Sequence, residues 1–299
     1  MAIGDLASVP GTDIHYVDVG AFDVPGYGSV YLVDAEHPAV VDPGLGTNVD
    51  LVIDALDDRG IDDLEYVLTT HVHLDHAGGA GHLLDAHPEA TVLTHEIGVP
   101  HLMDPSRLVA GTKAAVGDQW QYYVDPKPVP EDRIESLADG DTVDLGDRVL
   151  DVVHAPGHAP HQVVFHDRGD DVLFSGDAGG IRPPGADELF PTSPPVNFDL
   201  ETCLDDAATI AERNPERICF GHFGDAAFTP DLMDEYAEIL SAWIDRVREV
   251  RADLDTDEAV IEHFAETATP VEPWGARKTR AEYRLNARGA LGYLDADGD

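Results

Sequence analysis

Residues 70–76 read Thr-His-Val-His-Leu-Asp-His, followed at once by Ala77, Gly78 and Gly79. Four metal-binding side chains fall within six positions, directly after the mostly apolar stretch from Leu64 to Leu68. Side chains alternate along extended chain. A strand running into a loop here sends His71, His73 and Asp75 to one side, while His76 opens the turn toward a second ion. The spacing invites two adjacent metal sites.

Three more polar residues stand where strand-like segments give way to glycine. His158 closes His154-Ala155-Pro156-Gly157-His158, Asp177 closes Leu173-Phe174-Ser175-Gly176-Asp177, and His222 closes Ile218-Cys219-Phe220-Gly221-His222. A glycine before each polar residue lets the backbone turn sharply and aim a ligand off the strand end. With the first cluster this makes five histidines and two aspartates, enough ligands for two ions. Isolated histidines such as His15, His37 and His263 read as ordinary structural residues. His154 reads as a strand-end residue rather than part of the motif.

Strand-like and helical segments alternate along most of the chain. Ile14–Val19, Ser29–Asp34 and Ala39–Val41 read as a meander ending in Asp42-Pro43-Gly44. Positions 49, 52, 53 and 56 have helical spacing and Gly60 stops that helix. Further strands are expected at 64–70, 91–94, 142–145, 148–154, 162–166, 172–175 and 217–220. Helices are expected at 81–86 and 200–213, with a helical excursion over 96–123 and wholly helical chain from Pro230. The Pro/Gly-rich segment 182–195 reads as a long loop beside a site.

Taken in order, HxHxDH, Pro-Gly-His, Ser-Gly-Asp and a late Gly-His resemble the metallo-β-lactamase superfamily over roughly residues 10–225. The resemblance implies an α/β fold, a four-layer αβ/βα sandwich of two mixed β-sheets flanked by helices, with the metals at the rim between the sheets. Residues 1–229 would form the catalytic domain and 230–299 a helical C-terminal extension packed on it. The resemblance also implies His71, His73 and His158 on a first metal. Asp75, His76 and His222 would hold a second, with Asp177 bridging and Asp42 buttressing the site. Asp75 and Asp177 are the candidate catalytic residues. Neutral imidazoles and carboxylates suit two divalent ions, zinc first, with iron or manganese as alternatives. A water shared by two cations becomes a hydroxide near neutral pH, suited to attack on a carbonyl or phosphoryl centre.

Within that superfamily the pattern is most similar to the glyoxalase II-like hydrolases, which include thioesterases and lactonases. After His158 the chain reads Ala159-Pro160-His161-Gln162, where glyoxalase II usually has Thr-x-Gly-His, so His161 replaces a glycine. That departure argues against glutathione thioesters and makes His161 a candidate substrate contact. His101, Met103, Trp120, Tyr122 and Tyr123 are expected to wall a pocket above the metals, with Phe190 and Pro191 closing it. A tRNase Z-like phosphodiesterase or nuclease uses the same ligands, but the metal-bearing half is poor in the Arg and Lys that phosphate binding favours. A mono-iron sulfur dioxygenase is a further alternative on this scaffold.

Charge separates habitat from substrate. The chain carries 59 acidic and 18 basic residues, a net charge of −41, yet is 43% hydrophobic. Such a sequence folds, and its acidic surface fits a salt-rich, halophilic cytoplasm where ions screen self-repulsion. Cys203 and Cys219 form no paired framework, consistent with a reducing compartment. No segment approaches the roughly 20 apolar residues of a membrane span. The expectation is a cytoplasmic enzyme acting on a small molecule, with a homodimer allowed. Arg277, Arg280, Arg284 and Arg288 repeat at helical intervals, and are expected to dock a last helix through carboxylates on the body or on a second subunit.

Overall fold

β-Branched and aromatic runs bounded by glycine, proline and aspartate build two sheets. In the computed structural model, which describes residues 1–186 and 188–297, the first sheet contains β1 (Leu6–Ser8), β2 (Ile14–Asp18), β3 (Ser29–Val33), β4 (Ala39–Val41), β5 (Tyr66–Leu68), β6 (Thr91–His95) and β7 (Ile134–Leu137) in chain order. Neighbours from β1 to β4 are antiparallel, and those from β4 to β7 are parallel. The second sheet contains β8 (Thr142–Asp144), β9 (Val149–His154), β10 (Val163–Asp167), β11 (Val172–Gly176), β12 (Arg217–Phe220) and β13 (Asp225–Ala227). It runs in the order β13-β12-β11-β10-β9-β8, with β11 and β12 its parallel pair.

The inner faces of the sheets share one core. Ile14, Tyr31, Val41 and Leu68 of the first meet Val152, Phe165, Phe174 and Cys219 of the second. Strands β3, β4, β10 and β11 are buried along their whole length, which explains why their apolar residues, such as Val163-Val164-Phe165 and Val172-Leu173-Phe174, run together rather than alternate with polar ones. The outer face of the first sheet is covered by α1 (Val49–Arg59) and α3 (Ala80–Ala86) through Val52, Leu56 and Leu83. After β6 the chain forms α4 (Val99–Met103) and α5 (Ser106–Val116), and four helices cover the second sheet: α6 (Leu200–Arg213), α7 (Pro230–Asp253), α8 (Asp257–Thr267) and α9 (Gly275–Asp297).

In α6 the buried Leu200, Cys203, Ala207 and Ile210 recur at intervals of three and four, one face of a helix. Asp199 caps it by accepting from Thr202 N at 2.8 Å. Tyr236, Leu240, Trp243 and Ile244 of α7 lie in the same cluster as Val164, Leu173 and Phe220. Each such burial stabilises by about 1.5–3 kcal/mol. The layers therefore run helix, sheet, sheet, helix, as the resemblance implied. Strands β1, β7 and β13 lie outside the expected set. They are edge strands of three or four residues, and Asp225-Ala226-Ala227 has little strand propensity of its own. Among the described residues, no helix is long and apolar enough to cross a membrane.

Candidate metal centre

Strand β5 ends at Leu68, so the histidine cluster does not continue as extended chain. His71 to His73 lie in a loop, and Asp75 and His76 sit on a single helical turn, α2 (Leu74–Ala77). This corrects the alternation expected beyond His73. Consecutive helical residues point about 100° apart, so Asp75 and His76 reach the site by a turn rather than by strand parity. The three later glycines also differ among themselves. Only Gly176 has left-handed backbone, at φ 50°, with a Cβ there falling 2.4 Å from Thr70 Oγ1. Gly157 and Gly221 serve close approach: a Cβ would meet Cys203 N at 2.3 Å in one case and His76 Cε1 at 2.6 Å in the other.

Two triads result. The ligand atoms of His71, His73 and His158 lie within 4.8 Å of one another, and so do those of Asp75, His76 and His222. His158 Nε2 is 3.1 Å from His73 Nδ1, and His76 Nε2 is 3.1 Å from His222 Nε2. Asp177 lies between the triads. Its Oδ1 is 3.3 Å from His76 Nε2 and 3.4 Å from His222 Nε2, while its Oδ2 is 3.3 Å from His158 Nε2. Asp75 Oδ2 stands 3.8 Å from His222 Nε2.

Hydrogen bonds behind the triads set the imidazole tautomers. Asp42, at a left-handed φ of 52°, accepts from Thr70 N and from Thr70 Oγ1, each at 2.7 Å. That hydroxyl has spent its proton, so at 3.1 Å it accepts from His71 Nδ1. His71 Nε2 is left as a lone pair, buried and without a protein partner. His76 Nδ1 is 2.9 Å from Asp42 Oδ2, and His222 Nδ1 donates to the Tyr27 carbonyl at 2.9 Å. The Nε2 atoms of His71, His76 and His222 thus face the centre, and no other protein group donates a proton to them there. Cations match that need, and carboxylate or carbonyl partners behind ligand histidines are the usual support for them. Asp42 also groups with His71 and His76, but its oxygens are committed to Thr70 and His76, which makes it a buttress.

Electrostatics agree. Burial, followed by the neighbouring imidazoles, holds His71 well below the ordinary histidine range. Burial also pushes His158 down to about 3. Both rings are neutral, the form that ligates. Burial opposes charge on His76 too, but Asp177 and Asp42 outweigh it and hold this ring well above the usual value. Burial alone would raise Asp177, yet His76, His222 and His158 keep its carboxyl well below the carboxylate range. In the absence of a cation, a proton on His76 serves the same acidic pair.

A cavity of about 280 Å³ opens onto the triads. His161, His101 and Tyr123 line it as expected. His161 is buried, and burial pushes its imidazole down to about 2. Several other expected wall residues are elsewhere. The Tyr122 ring packs edge-on to Phe22 beneath the Arg277 guanidinium, outside the cavity lining. Trp120 stacks on Tyr123, and Phe190 packs on Trp274. The opposite wall comes from α9, which supplies Lys278, Glu282, Leu285 and Asn286. Lys278 is 1% exposed and donates to Glu282 Oε2 at 2.6 Å, with its ammonium 3.7 Å from the centre of the Tyr27 ring. Tyr27, Thr70 and Glu282 were not anticipated. Only Thr70 had a sequence signal, its place directly before the first histidine.

The chain is 26% identical over 238 residues to the metallo-beta-lactamase fold-containing protein ST1585 of Sulfurisphaera tokodaii, covering 76% of this chain and 84% of that protein. The solved structure of ST1585 superposes with a TM-score of 0.72 at 24% identity, over 94% of this chain and 99% of that one, and shows the shared fold. Bovine acyl-coenzyme A thioesterase MBLAC2 is 30% identical over 185 residues, 56% of this chain and 63% of its own. Hydroxyacylglutathione hydrolase of Aeromonas salmonicida is 30% identical over 157 residues, so the chain spans about half of that relative's length. The Metallo-beta-lactamase superfamily model matches residues 23–222, which hold every residue of both triads and Asp177. The chain belongs to the metallo-beta-lactamase superfamily.

Proposed function

We propose that the chain is a dinuclear metal-dependent hydrolase that cleaves a thioester, a lactone or a related ester. The observation that carries this reading is Asp177, whose two carboxylate oxygens divide between the triads. Two divalent ions, zinc before iron or manganese given the nitrogen and oxygen ligands, would supply a hydroxide nucleophile at neutral pH and a Lewis acid for the acyl oxygen. His71, His73 and His158 would hold one, and Asp75, His76 and His222 the other. The protein's own groups do the rest. Asp42 and Thr70 hold the imidazoles in their ligating tautomers. Asp75, whose side chain is 22% exposed at the cavity edge, is placed to pass a proton to the leaving group.

The cavity favours an acyl substrate over a nucleic acid. Leu108, Val116, Ile181, Pro194 and Leu285 give it apolar walls. Its basic residues are Arg107 and Lys278, and Lys278 already faces Glu282. A phosphate backbone calls for a track of unpaired cations. Relatives named as an acyl-coenzyme A thioesterase and a hydroxyacylglutathione hydrolase support the same reading.

The test is a panel of acyl thioesters, lactones, bis(p-nitrophenyl) phosphate and RNA, assayed with the metal-loaded protein in molar salt. Turnover of a thioester or lactone is expected. Turnover confined to the phosphodiester or RNA, or oxygen uptake on a persulfide with a single iron, would contradict it.

A further inference from the structure

His161 takes no part in either triad, yet it lines the same cavity and is 6% exposed. Its ring lies 5.5 Å from that of His73, at right angles, and 6.2 Å from that of His71, nearly parallel. A histidine so close to two ligand histidines invites reading as another ligand. Its hydrogen bond says otherwise. The backbone N–H of Val72, between His71 and His73, donates to His161 Nδ1 at 3.3 Å. An amide nitrogen can only donate, so Nδ1 carries a lone pair and the ring proton sits on Nε2. A protonated nitrogen cannot ligate a cation. It can only donate.

The loop that carries this donor is tied on both sides. His154 donates from Nε2 to the Pro160 carbonyl at 2.9 Å, with its ring stacked on His95 at 4.3 Å. Gln162 donates from its backbone to Ala159 O at 2.9 Å and from its side chain to Ser175 O at 3.0 Å. Val163 N donates to Thr70 O at 2.8 Å. A donor fixed in this way needs no reorganisation when charge develops beside it.

We infer that His161 contacts the substrate, donating a hydrogen bond from Nε2–H to the acyl oxygen as that oxygen becomes an oxyanion. The inference rests on the hydrolase reading. When hydroxide adds to the acyl carbon, the carbonyl π electrons move onto oxygen, where the His161 N–H meets them. His161 keeps its proton throughout, and the carbonyl re-forms as the thiolate or alkoxide departs.

Two measurements on the zinc-loaded protein test this. Nitrogen-15 NMR of histidine-labelled protein, with the His161 signals assigned by their loss in His161→Phe, is expected to show the Nε2–H tautomer. A proton on Nδ1, or a zinc-bound nitrogen, would overturn the inference. In kinetics on a hexanoyl thioester and on a lactone, His161→Phe is expected to lower kcat about 100-fold, with KM little changed and both zinc ions retained. His161→Gln, whose amide can still donate, is expected to recover most of that loss. Wild-type kcat in His161→Phe, or loss of zinc from it, would overturn the inference while leaving the hydrolase reading intact. A wild-type protein inactive on both acyl substrates would overturn the hydrolase reading, and the acyl-oxygen role with it.

Discussion

The Nε2 atoms of His76 and His222 face each other 3.1 Å apart, with at most the one extra proton that His76 can carry to lie between them. His222 has committed its Nδ1–H to the Tyr27 carbonyl, and His76 turns Nδ1 toward Asp42. Two imidazole lone pairs at this separation repel unless a proton or a cation lies between them. Asp42 and the Tyr27 carbonyl thus orient both rings toward a shared positive charge, a cation or, without one, the His76 proton.

Removing metal should therefore destabilise the fold as well as silence it. Binding to the native state alone stabilises by mass action, about 4 kcal/mol at a thousandfold excess over Kd. The expected result is a fall of several degrees in Tm on treatment with a strong chelator. Refilling should release protons from His76, read as a dependence of binding enthalpy on buffer. An unchanged Tm would contradict the account.

Thr70→Val removes the hydroxyl that links Asp42 to His71. It keeps the volume and the backbone bond to Asp42, but frees the His71 tautomer. Metal affinity should fall about 10- to 100-fold, measured by competition with a chromophoric chelator. Affinity equal to that of the wild type would show that the Asp42–Thr70–His71 chain does not orient the ligand.

Asp206 makes the stability of the fold depend on pH. It accepts from Gly157 N at 2.7 Å, and burial pushes its carboxyl up to about 6. A carboxyl raised above its unfolded value of about 3.9 destabilises the fold once ionised. The group therefore adds stability as pH falls from above 6 toward 4, and removes it as pH rises. Asp206→Asn keeps an acceptor for Gly157 without the charge. Its Tm relative to wild type should rise between pH 4 and pH 8, by the equivalent of roughly 2–3 kcal/mol. A difference that does not vary with pH would contradict this.

Lys278 and Glu282 form a buried pair in the cavity wall, and Tyr27 and Asn286 also bond the Glu282 carboxylate. Breaking one side of such a pair leaves a buried charge uncompensated, at about 3–5 kcal/mol. Lys278→Met should thus be strongly destabilising, and the double variant Lys278→Met/Glu282→Gln less so. Denaturant unfolding in high salt measures both. A double variant that is the less stable of the two would refute the pairing.

Where local pattern carries the structure, the sequence is readable. Leu200–Arg213 and Arg217–Phe220 have the same bounds in the fold as in the apolar periodicity. The seven residues of the triads and Asp177 could be named because strand ends and glycines place them in a recurring order. The one-turn helix holding Asp75 and His76 was invisible, since four residues hold no helical period. Tyr122 was expected at the cavity, but Phe22 and Arg277 draw its ring away, and only the fold brings those partners near. Lys278 and Glu282 reach from the last helix into the cavity that His222 also lines, a meeting that no local pattern announces. His161 stood out as a departure from a familiar motif. Its tautomer is set by Val72 N–H, which only the fold brings beside it.

The most direct measurement is titration of metal-free protein with zinc while thioester or lactone hydrolysis is followed. Two ions should bind per chain and full activity should appear only as the second is taken up, with Asp177→Ala failing to hold that second ion and losing turnover. Full activity at one ion per chain, or in the Asp177→Ala variant, would contradict the dinuclear reading.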